Sequence, residues 1–307
     1  MNVLVTGGAG FIGSHLVRRL ISENHVVRVV DDLSTGRREN LSDVSVDIVT
    51  RDLAREALDD LVEGVDVVFH LAAVPSVPRS VAEPLRAHDS AATATLRLLQ
   101  AAQKASVDTF ITSSSSSVYG NVATPPMRET MPTLPRSPYA VAKLAAEGYT
   151  RVYASLHGMR TVSLRYFNVF GPRQDPNSTY AAAIPRFVTA YIRRERPRVY
   201  DDGRQSRDFT FVANVVEANV LAARAPRLAG ESVNIAAGEP RSVLDLLHGI
   251  ADIFGYWLEP EFLPPRPGDI RDSHADVSLA RALLHYAPVT SFGDGLRETI
   301  DWLRSPD

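Results

Sequence analysis

Residues 6–13 read TGGAGFIG, and they lie between a short apolar run at 3–5 and a segment of helical character that extends to about Asn24. The glycines allow a tight turn and let another molecule come close to the backbone. The helix that follows would present the positive end of its dipole to an anion. A strand, a glycine turn and a helix in this order predict a site for the pyrophosphate of a dinucleotide, although a glycine turn alone is also compatible with an ordinary loop.

A carboxylate at the end of the second predicted strand favours the dinucleotide interpretation. Residues 26–31 read VVRVVD, so Asp31 closes this strand 18 residues after Gly13. An acid at this place can accept hydrogen bonds from the adenosine ribose. It also disfavours a 2′-phosphate, and we therefore expect NAD as the cofactor rather than NADP.

Short apolar strands alternate with helices through the first half of the chain. Helical stretches, such as 85–105, separate further predicted strands at 46–49, 65–70, 109–112 and 160–167. This alternation is typical of a parallel sheet that is covered on both faces. We predict an α/β fold with a Rossmann-type doubly wound parallel sheet in residues 1–167, to which later segments return. Residues 168–307 are expected to form mainly a smaller α/β lobe that binds the substrate.

The composition is that of an ordinary globular protein. The 307 residues are 45% hydrophobic and 22% charged, and the net charge of −3 gives no electrostatic argument for nucleic acid or a membrane surface. The absence of cysteine excludes disulfides, cysteine nucleophiles and thiolate metal sites, and we assign no metal site. The first residues lack the basic region of a signal peptide, and no apolar run reaches the ~18 residues of a membrane span. We expect a cytoplasmic protein.

A phenol and an ammonium lie four residues apart in the segment SPYAVAK at 137–143. If this segment is helical, Tyr139 and Lys143 share one face. A nearby cation favours the phenolate by roughly 1–3 pKa units, which would make Tyr139 a base able to take the proton of an alcohol. The pair alone is also compatible with an amphipathic helix that carries a snorkelling lysine.

Five serines, at 113–117, follow the strand predicted at 109–112. They would lie at the carboxyl end of the sheet, where α/β proteins bind their ligands. One hydroxyl could share the proton of a substrate alcohol with Tyr139. The alternative is a polar turn of small residues.

Nearly the whole chain resembles the extended short-chain dehydrogenase/reductase superfamily, and within it the NAD-dependent nucleotide-sugar epimerases. The resemblance is closest to the UDP-N-acetylglucosamine and UDP-glucose 4-epimerases. It rests on TGGAGFIG at 6–13, VVDDLSTG at 29–36, FHLAA at 69–73, SVPRS at 76–80, SVYG at 117–120, SPYAVAK at 137–143, RYFNVFGPRQDPN at 165–177, GRQSRDFTFV at 203–212 and RPGDI at 266–270.

This resemblance implies a role for individual residues. Tyr139 would be the catalytic base, Lys143 would lower its pKa and bind the nicotinamide ribose, and Ser115 would be the catalytic serine. The implied cofactor residues are Gly7, Gly10, Phe11, Ile12, Gly13, Asp31, Asp32, Ser34, Thr35, Gly36, Asp52, Leu53, Leu71, Ala72, Ala73, Ser113, Tyr139, Lys143, Tyr166, Asn168 and Val169. The implied substrate residues are Ser76, Ser115, Ser116, Tyr139, Asn168, Ala182, Ala183, Tyr200, Arg207, Arg266, Asp269 and Ser273.

Within the second set, Asn168, Arg207 and Arg266 would contact the diphosphate, and Tyr200 would pack on the base. Two arginines can bind phosphate oxygens in forked geometry. One departure from the family lies near Ala91, where many relatives carry an asparagine that supports the cofactor loop.

The resemblance also narrows the reaction. The 4,6-dehydratases carry an Asp-Glu pair after the catalytic Ser or Thr, and the UDP-glucuronate decarboxylases carry a glutamate there, whereas this chain has Ser116 and Ser117. Two hydroxyls cannot replace that acid/base pair at neutral pH. We therefore predict 4-epimerisation of a UDP-sugar by an isomerase that holds NAD tightly, while a lyase, a reductase and a non-catalytic binding protein are the alternatives.

The choice of sugar rests on two positions. Uronate 4-epimerases place an arginine after GPRQ, where this chain has Asp175, so a uronate is the second choice. At the position of Ser273 the galactose-type epimerases carry a gate residue, and a small residue admits an N-acetyl group. We expect UDP-GlcNAc and UDP-GalNAc as substrates, with UDP-Glc and UDP-Gal also used. The resemblance further implies a homodimer, formed by helices near 88–104 and 139–158.

Overall fold

A seven-stranded parallel sheet forms the centre of the protein. The computed structural model describes residues 1–121, 124–175, 183–265 and 271–305. The strand order is β11-β6-β5-β4-β1-β2-β3, so the order reverses between β1 and β4. These strands are β1 (Asn2–Thr6), β2 (Val26–Asp31), β3 (Ile48–Thr50), β4 (Val67–His70), β5 (Thr109–Ser115), β6 (Arg160–Tyr166) and β11 (Glu231–Ile235). The point of reversal is where doubly wound sheets bind ligands.

Helices cover both faces of the sheet. Alternate side chains of β1 point to opposite faces, so that Val3 and Val5 pack with helices α1, α8 and α10, whereas Leu4 packs with α2 and α5. The helices of the chain are α1 (Phe11–Ser22), α2 (Asp59–Val62), α3 (Val77–Ala82), α4 (Pro84–His88), α5 (Ala94–Lys104), α6 (Pro138–His157), α7 (Ala183–Ile192), α8 (Val212–Arg224), α9 (Val243–Phe254), α10 (Ser278–Leu284) and α11 (Phe292–Arg304). The predicted α/β architecture is confirmed.

The carboxyl-terminal part adds short strands and three further helices. Its strands are β7 (Val169–Phe170), β8 (Arg198–Tyr200), β9 (Ser206–Asp208), β10 (Thr210–Phe211), β12 (Pro240–Ser242), β13 (Glu261–Leu263) and β14 (Asp272–Ser273). They form small sheets, and α7, α9 and α11 pack around an aromatic core that includes Phe170, Phe187 and Phe211. Strand β11 pairs with β6, so the chain returns to the central sheet after residue 167.

Two elements depart most from their predicted bounds, whereas the ends of the other predicted strands shift by at most two residues. The strand predicted to end at 112 continues to Ser115, because β6 offers backbone partners along its whole length and Ser115 pairs with Tyr166. The helix predicted over 85–105 is divided by a π-helical turn at 89–93, where the Thr95 hydroxyl donates to the Ala91 carbonyl at 2.5 Å. Because β5 extends to Ser115, three of the five serines belong to the central sheet. In the described part of the chain, no helix has the length and apolar character needed to cross a membrane.

Candidate active site

The glycine turn is packed against the loop that follows β4. Gly7 has φ +68°, and a Cβ on it would lie 2.8 Å from the backbone nitrogen of Ala72. A Cβ on Gly13 would lie 2.1 Å from the Gly7 carbonyl oxygen. Helix α1 begins at Phe11, within this glycine segment, and runs for 12 residues. The turn is therefore a shallow cradle at a helix N-terminus, which suits the pyrophosphate of a dinucleotide.

Asp31 joins the end of β2 to this turn. The residue is 6% exposed, and its carboxylate accepts hydrogen bonds from the backbone nitrogens of Ala9, at 3.0 Å, and Leu33, at 2.9 Å. Burial raises the pKa of this carboxyl, and the two hydrogen bonds act in the opposite direction. Asp31 thus holds the glycine turn in place and also lines the cavity next to it.

A cavity of about 1650 Å³ extends from the glycine turn across the carboxyl ends of the central strands. Every residue that the sequence predicts for the cofactor lines this cavity, from Gly7 to Val169. Ser76, Ser115 and Ser116, which the sequence predicts for the substrate, line it as well. The glycine cradle at one end and the Asp31 carboxylate beside it fit a dinucleotide.

Ser115, Tyr139 and Lys143 meet in this cavity at the end of β5. Helix α6 begins at Pro138, and the hydroxyl of Ser137 caps it by accepting from the Ala140 nitrogen at 3.2 Å. The cap places Tyr139 in the first turn of the helix and Lys143 in the second. Ser115 is the last residue of β5, and its hydroxyl forms a hydrogen bond with the Tyr139 phenol.

The side chain of Lys143 is 4% exposed and points toward β5. Its Nζ donates to the Ser113 carbonyl oxygen at 2.8 Å and to the Ser113 hydroxyl at 3.1 Å. Burial lowers the pKa of this amine to about 8, and the Glu147 carboxylate opposes that shift. The amine is therefore charged at neutral pH, with only a small margin.

The pKa of Tyr139 differs from its sequence-based expectation. The spacing of Tyr139 and Lys143 predicts a lowered pKa, but burial raises the pKa of the phenol, and the hydrogen bond with Ser115 only partly offsets that effect. The physical reason is that helical spacing fixes the face on which Lys143 lies but not the direction of its amine, which is held by Ser113.

A second cavity, of about 280 Å³, adjoins the first. Asn168 and Val169 line both cavities, so they mark the junction. Ala183, Tyr200 and Arg207 line the second cavity together with apolar side chains of the carboxyl-terminal lobe. The sequence-predicted substrate residues are thus divided between the two cavities.

One sequence-predicted position lies apart from both cavities, and three others lie outside the described residues. Ser273 lies on β14 beside Arg207 on β9 and is buried, but it is not among the described residues that line these two cavities. Ala182, Arg266 and Asp269 lie outside the described residues.

Several residues to which the sequence motifs assign no role also line the first cavity. Arg173 and Gln174 belong to the GPRQ segment, and Arg37 follows the predicted cofactor residue Gly36. Arg37 pairs with Asp175 at 3.1 Å. The signals that could have indicated them are the place of Arg37 directly after Gly36 and that of Arg173 and Gln174 within the motif at 165–177.

The departure near Ala91 also has a structural counterpart. The hydroxyl of Ser90 accepts from the backbone nitrogen of Val74 at 3.4 Å, in the region where the family resemblance implies an asparagine. Val74 directly follows the predicted cofactor segment 71–73, so the π-helical turn still contacts the cofactor loop.

Known proteins resemble this chain over almost its whole length. Residues 3–236 match the model of the NAD dependent epimerase/dehydratase family. The chain is 40% identical to a UDP-glucose 4-epimerase of Mycolicibacterium smegmatis, over 99% of each chain. It is 42% identical, with a TM-score of 0.94, to the structure of a UDP-N-acetylglucosamine 4-epimerase from Methanobrevibacter ruminantium M1 in complex with UDP-N-acetylmuramic acid, and the match covers 98% of this chain and 97% of that one.

A third similar protein was solved with a dinucleotide bound. It is a UDP-glucuronic acid 4-epimerase from Bacillus cereus in complex with UDP-glucuronic acid and NAD, 33% identical over 99% of each chain with a TM-score of 0.90. The family match and these likenesses agree with the glycine cradle and the cavity beside it. This protein belongs to the NAD dependent epimerase/dehydratase family, and its cofactor is NAD.

Proposed function

We propose that this protein interconverts the 4-epimers of a UDP-sugar, with UDP-GlcNAc and UDP-GalNAc as preferred substrates and UDP-Glc and UDP-Gal also accepted. The observation that carries the proposal is the convergence of Ser115, Tyr139 and Lys143 at the carboxyl end of β5, in the cavity that holds the predicted cofactor residues. The similarity to UDP-sugar 4-epimerases supports the same reaction.

In this reaction the chain supplies the proton chemistry at the sugar C4 hydroxyl. NAD, when bound, accepts the C4 hydride and later returns it to the opposite face of the sugar. Tyr139 takes the hydroxyl proton as the C4 carbonyl forms and gives it back when that carbonyl is reduced. The Ser115 hydroxyl, which already hydrogen-bonds to the phenol, orients the C4 oxygen. The sugar turns over between the two transfers while its diphosphate stays bound.

The absence of acids next to Ser115 favours epimerisation over elimination. The turn after β5 is a 3₁₀ helix, Ser116–Tyr119, and it carries no carboxylate. Ser115 donates instead to the Ser117 hydroxyl at 3.2 Å. Glu83 also lines the cavity, but its carboxylate pairs with Arg79 at 3.4 Å and Arg86 at 3.3 Å. The keto sugar would therefore meet no acid/base pair on this turn that could remove water across C5 and C6.

The second cavity suits the nucleotide part of the substrate. Tyr200, Phe187 and Phe209 give it aromatic walls, and Arg207 brings a guanidinium to the same space. A flat base and a diphosphate match this combination. Since Asn168 lies at the junction of both cavities, a substrate held here would extend its sugar toward Tyr139.

UDP-glucuronate is the second candidate substrate. Asp175 disfavours a carboxylate, and it pairs with Arg37. Arg79 and Arg173 nevertheless line the large cavity, and a uronate carboxylate could bind either guanidinium. The similarity to a UDP-glucuronic acid 4-epimerase supports including this substrate in the test.

A homodimer is part of the same proposal. Apolar side chains are exposed on two neighbouring helices: Leu85 on α4 is 79% exposed, and Val141, Val152 and Leu156 on α6 are 52%, 45% and 71% exposed. The three positions on α6 are 11 and 4 residues apart, so they lie on one side of the helix. Such an apolar stripe is suited to a second copy of the chain.

One assay tests the proposed function. Purified protein, with no added NAD, is incubated separately with UDP-GlcNAc, UDP-Glc and UDP-glucuronate, and NMR identifies the products. We expect equilibration of the GlcNAc and GalNAc pair at the highest rate, and release of bound NAD on denaturation. A protein that contains NAD but leaves all three sugars unchanged would exclude epimerisation, and a stable 4-keto product would indicate a lyase.

A further inference from the structure

Glu147 lies one helical turn beyond Lys143, on the buried face of α6. Its side chain is 2% exposed and accepts two hydrogen bonds from Arg165 on β6, at 2.8 Å from Nε and 2.7 Å from Nη2. A buried ion pair of this kind contributes little net stability compared with apolar residues of similar size. Stability alone therefore does not explain why Glu147 and Arg165 are buried as a charged pair.

The same carboxylate is tied to the strand that carries the catalytic serine. Ser114 donates to it at 2.5 Å, and Ser232 on β11 donates at 2.9 Å. Ser114 stands between Ser113, which accepts from Lys143, and Ser115, which contacts Tyr139. Glu147 consequently anchors the middle residue of the three, and Ser113 and Ser115 are its direct neighbours on the same strand.

The groups around Lys143 offer one negative charge that can stabilise its buried ammonium. His70, at the end of β4, is neutral, because burial and the Lys143 charge lower its pKa to about 3. On α6 itself, Tyr139 has a raised pKa and is neutral at pH 7. Arg165 is positive and lies beyond Glu147. Among these described groups, Glu147 alone brings a negative charge close to the buried amine.

We propose that Glu147 is a positioning residue, which keeps the Lys143 ammonium protonated and holds Ser114 so that Ser113 and Ser115 stay in place for the reaction. The proposal rests on the function proposed above for Lys143 and Tyr139. Glu147 is not among the described residues that line either cavity, so we expect it to act only through the residues it holds.

The direction of the effect follows from the charge. The Lys143 ammonium gives up its proton as the pH rises through its pKa. Because the Glu147 carboxylate stabilises the charged form, removing that carboxylate moves the deprotonation to lower pH. In the Glu147→Gln variant, Lys143 should therefore be neutral at a pH where Lys143 of the parent protein still carries its charge. A close charge changes a pKa by roughly 1–3 units, and we expect a downward shift of about 1 unit.

The composition of the chain allows a direct measurement. The sequence has only two lysines, Lys104 and Lys143, and Lys104 is exposed at the end of α5. In a Lys104→Arg background, protein with ¹³C-labelled lysine gives the NMR signal of Lys143 alone. Titration of this signal in the presence of bound NAD reports the Lys143 pKa without any substrate, so it remains informative even if the epimerase assay fails.

Three variants in that background decide the proposal. Glu147→Gln should lower the Lys143 pKa by about 1 unit, whereas Ser232→Ala, which removes a hydrogen bond but keeps the charge, should leave it unchanged. If Glu147→Gln does not fold, Glu147→Gln combined with Arg165→Met removes both charges, and a smaller downward shift is expected. A Lys143 titration that is identical in the parent and the folded Glu147 variant would overturn the proposal. In an active enzyme, the high-pH fall of kcat should move down with the NMR pKa.

Discussion

The amine of Lys143 donates to both oxygens of Ser113, at 2.8 Å to the carbonyl and 3.1 Å to the hydroxyl. The charge is thereby fixed at the end of β5, and the pKa of Tyr139 is raised by burial. The phenol needs a further positive charge to become a base near neutral pH, and oxidised NAD brings one. Activation of Tyr139 should therefore depend on the redox state of the cofactor.

This dependence can be measured. We expect the pKa of Tyr139 to be lower in protein loaded with NAD⁺ than in protein loaded with NADH, because only the oxidised ring is cationic. The measurement is the phenolate absorbance as a function of pH, taken as the difference between the parent protein and Tyr139→Phe. Equal pKa values in both redox states would contradict this account of the base.

Replacement of the phenol should affect turnover and leave cofactor binding in place. Tyr139→Phe removes one hydroxyl in the first turn of α6, and loss of a general acid/base typically lowers kcat by about 10²–10⁴-fold. The bound NAD content should be unchanged. Tyr149→Phe, on the same helix, is the matched control and should keep kcat close to that of the parent. A comparable loss in both variants would assign the effect to the helix rather than to the chemistry.

His70 should make the protein sensitive to acid. It is 2% exposed, lies between the hydroxyls of Thr6 at 2.7 Å and Thr95 at 3.0 Å, and has a pKa lowered to about 3, mainly by burial. An unfolded histidine takes up a proton below about pH 6.5, whereas the folded one does not until about pH 3. The contribution of His70 to the free energy of unfolding is therefore at its full value above pH 6.5. As the pH falls from 6.5 to 3, this contribution decreases by up to ~1.4 kcal/mol per pH unit.

Urea unfolding at pH 7 and pH 5 measures this acid sensitivity. His70→Asn should be less stable at pH 7 but should lose less stability on going to pH 5 than the parent does. His248→Asn, at an exposed position on α9, should retain the slope of the parent. If all three proteins lose the same stability between pH 7 and pH 5, His70 is not the cause of the acid sensitivity.

The glycine cradle should tolerate no added methyl group at Gly13. A Cβ there would lie 2.1 Å from the Gly7 carbonyl oxygen, so the turn must move. We expect Gly13→Ala to lose bound NAD and to be destabilised by roughly 1–3 kcal/mol. Gly293→Ala, in a helix position where nothing lies within 4 Å, should change stability by less than about 1 kcal/mol and keep its NAD. Thermal unfolding and the absorbance of released cofactor measure both effects.

The glycine turn and Asp31 could be predicted because each depends on local rules. A turn that approaches a neighbouring backbone needs glycine, and an acid at the end of the second strand follows from the order of the elements. The parallel sheet was predicted for the same reason, since short apolar runs between helices leave few other arrangements.

Contacts between distant segments could not be predicted from those rules. The continuation of β5 through Ser115 depends on pairing with β6, which lies about 50 residues further along the chain. The Lys143 amine reaches Ser113, 30 residues earlier, and Ser273 lies beside Arg207 through the pairing of β14 with β9. Helical spacing and motif order give the location of each residue along its own element but not the partner that its side chain selects.

The proposed homodimer predicts a specific response to charge on α6. Leu156→Arg places a cation in the exposed apolar stripe and should convert a dimer to a monomer, because a buried unpaired charge is costly. Leu134→Arg is the matched control, since Leu134 is also exposed but lies in a loop, and it should leave the dimer intact. Light scattering coupled to size exclusion gives both masses. A parent protein that is monomeric at micromolar concentration would contradict the dimer itself.

The proposed preference for acetamido sugars can be tested at Ser273. It lies on β14 in register with Arg207, at the edge of the lobe that lines the second cavity, and it is 7% exposed. The family resemblance implies that this position limits the space beside the sugar, and if it does so here, a tyrosine would exclude the N-acetyl group. We expect Ser273→Tyr to lower kcat/KM for UDP-GlcNAc at least about 10-fold more than for UDP-Glc. This factor is within the range by which the shape of a binding pocket discriminates between similar substrates.

Ser273→Ala, which keeps the side chain small, should leave the ratio of the two kcat/KM values unchanged. The ratio matters because a tyrosine in a buried position also disturbs packing, and that disturbance lowers both rates alike. If Ser273→Tyr lowers both values by the same factor, the position contributes to packing and not to the choice of sugar.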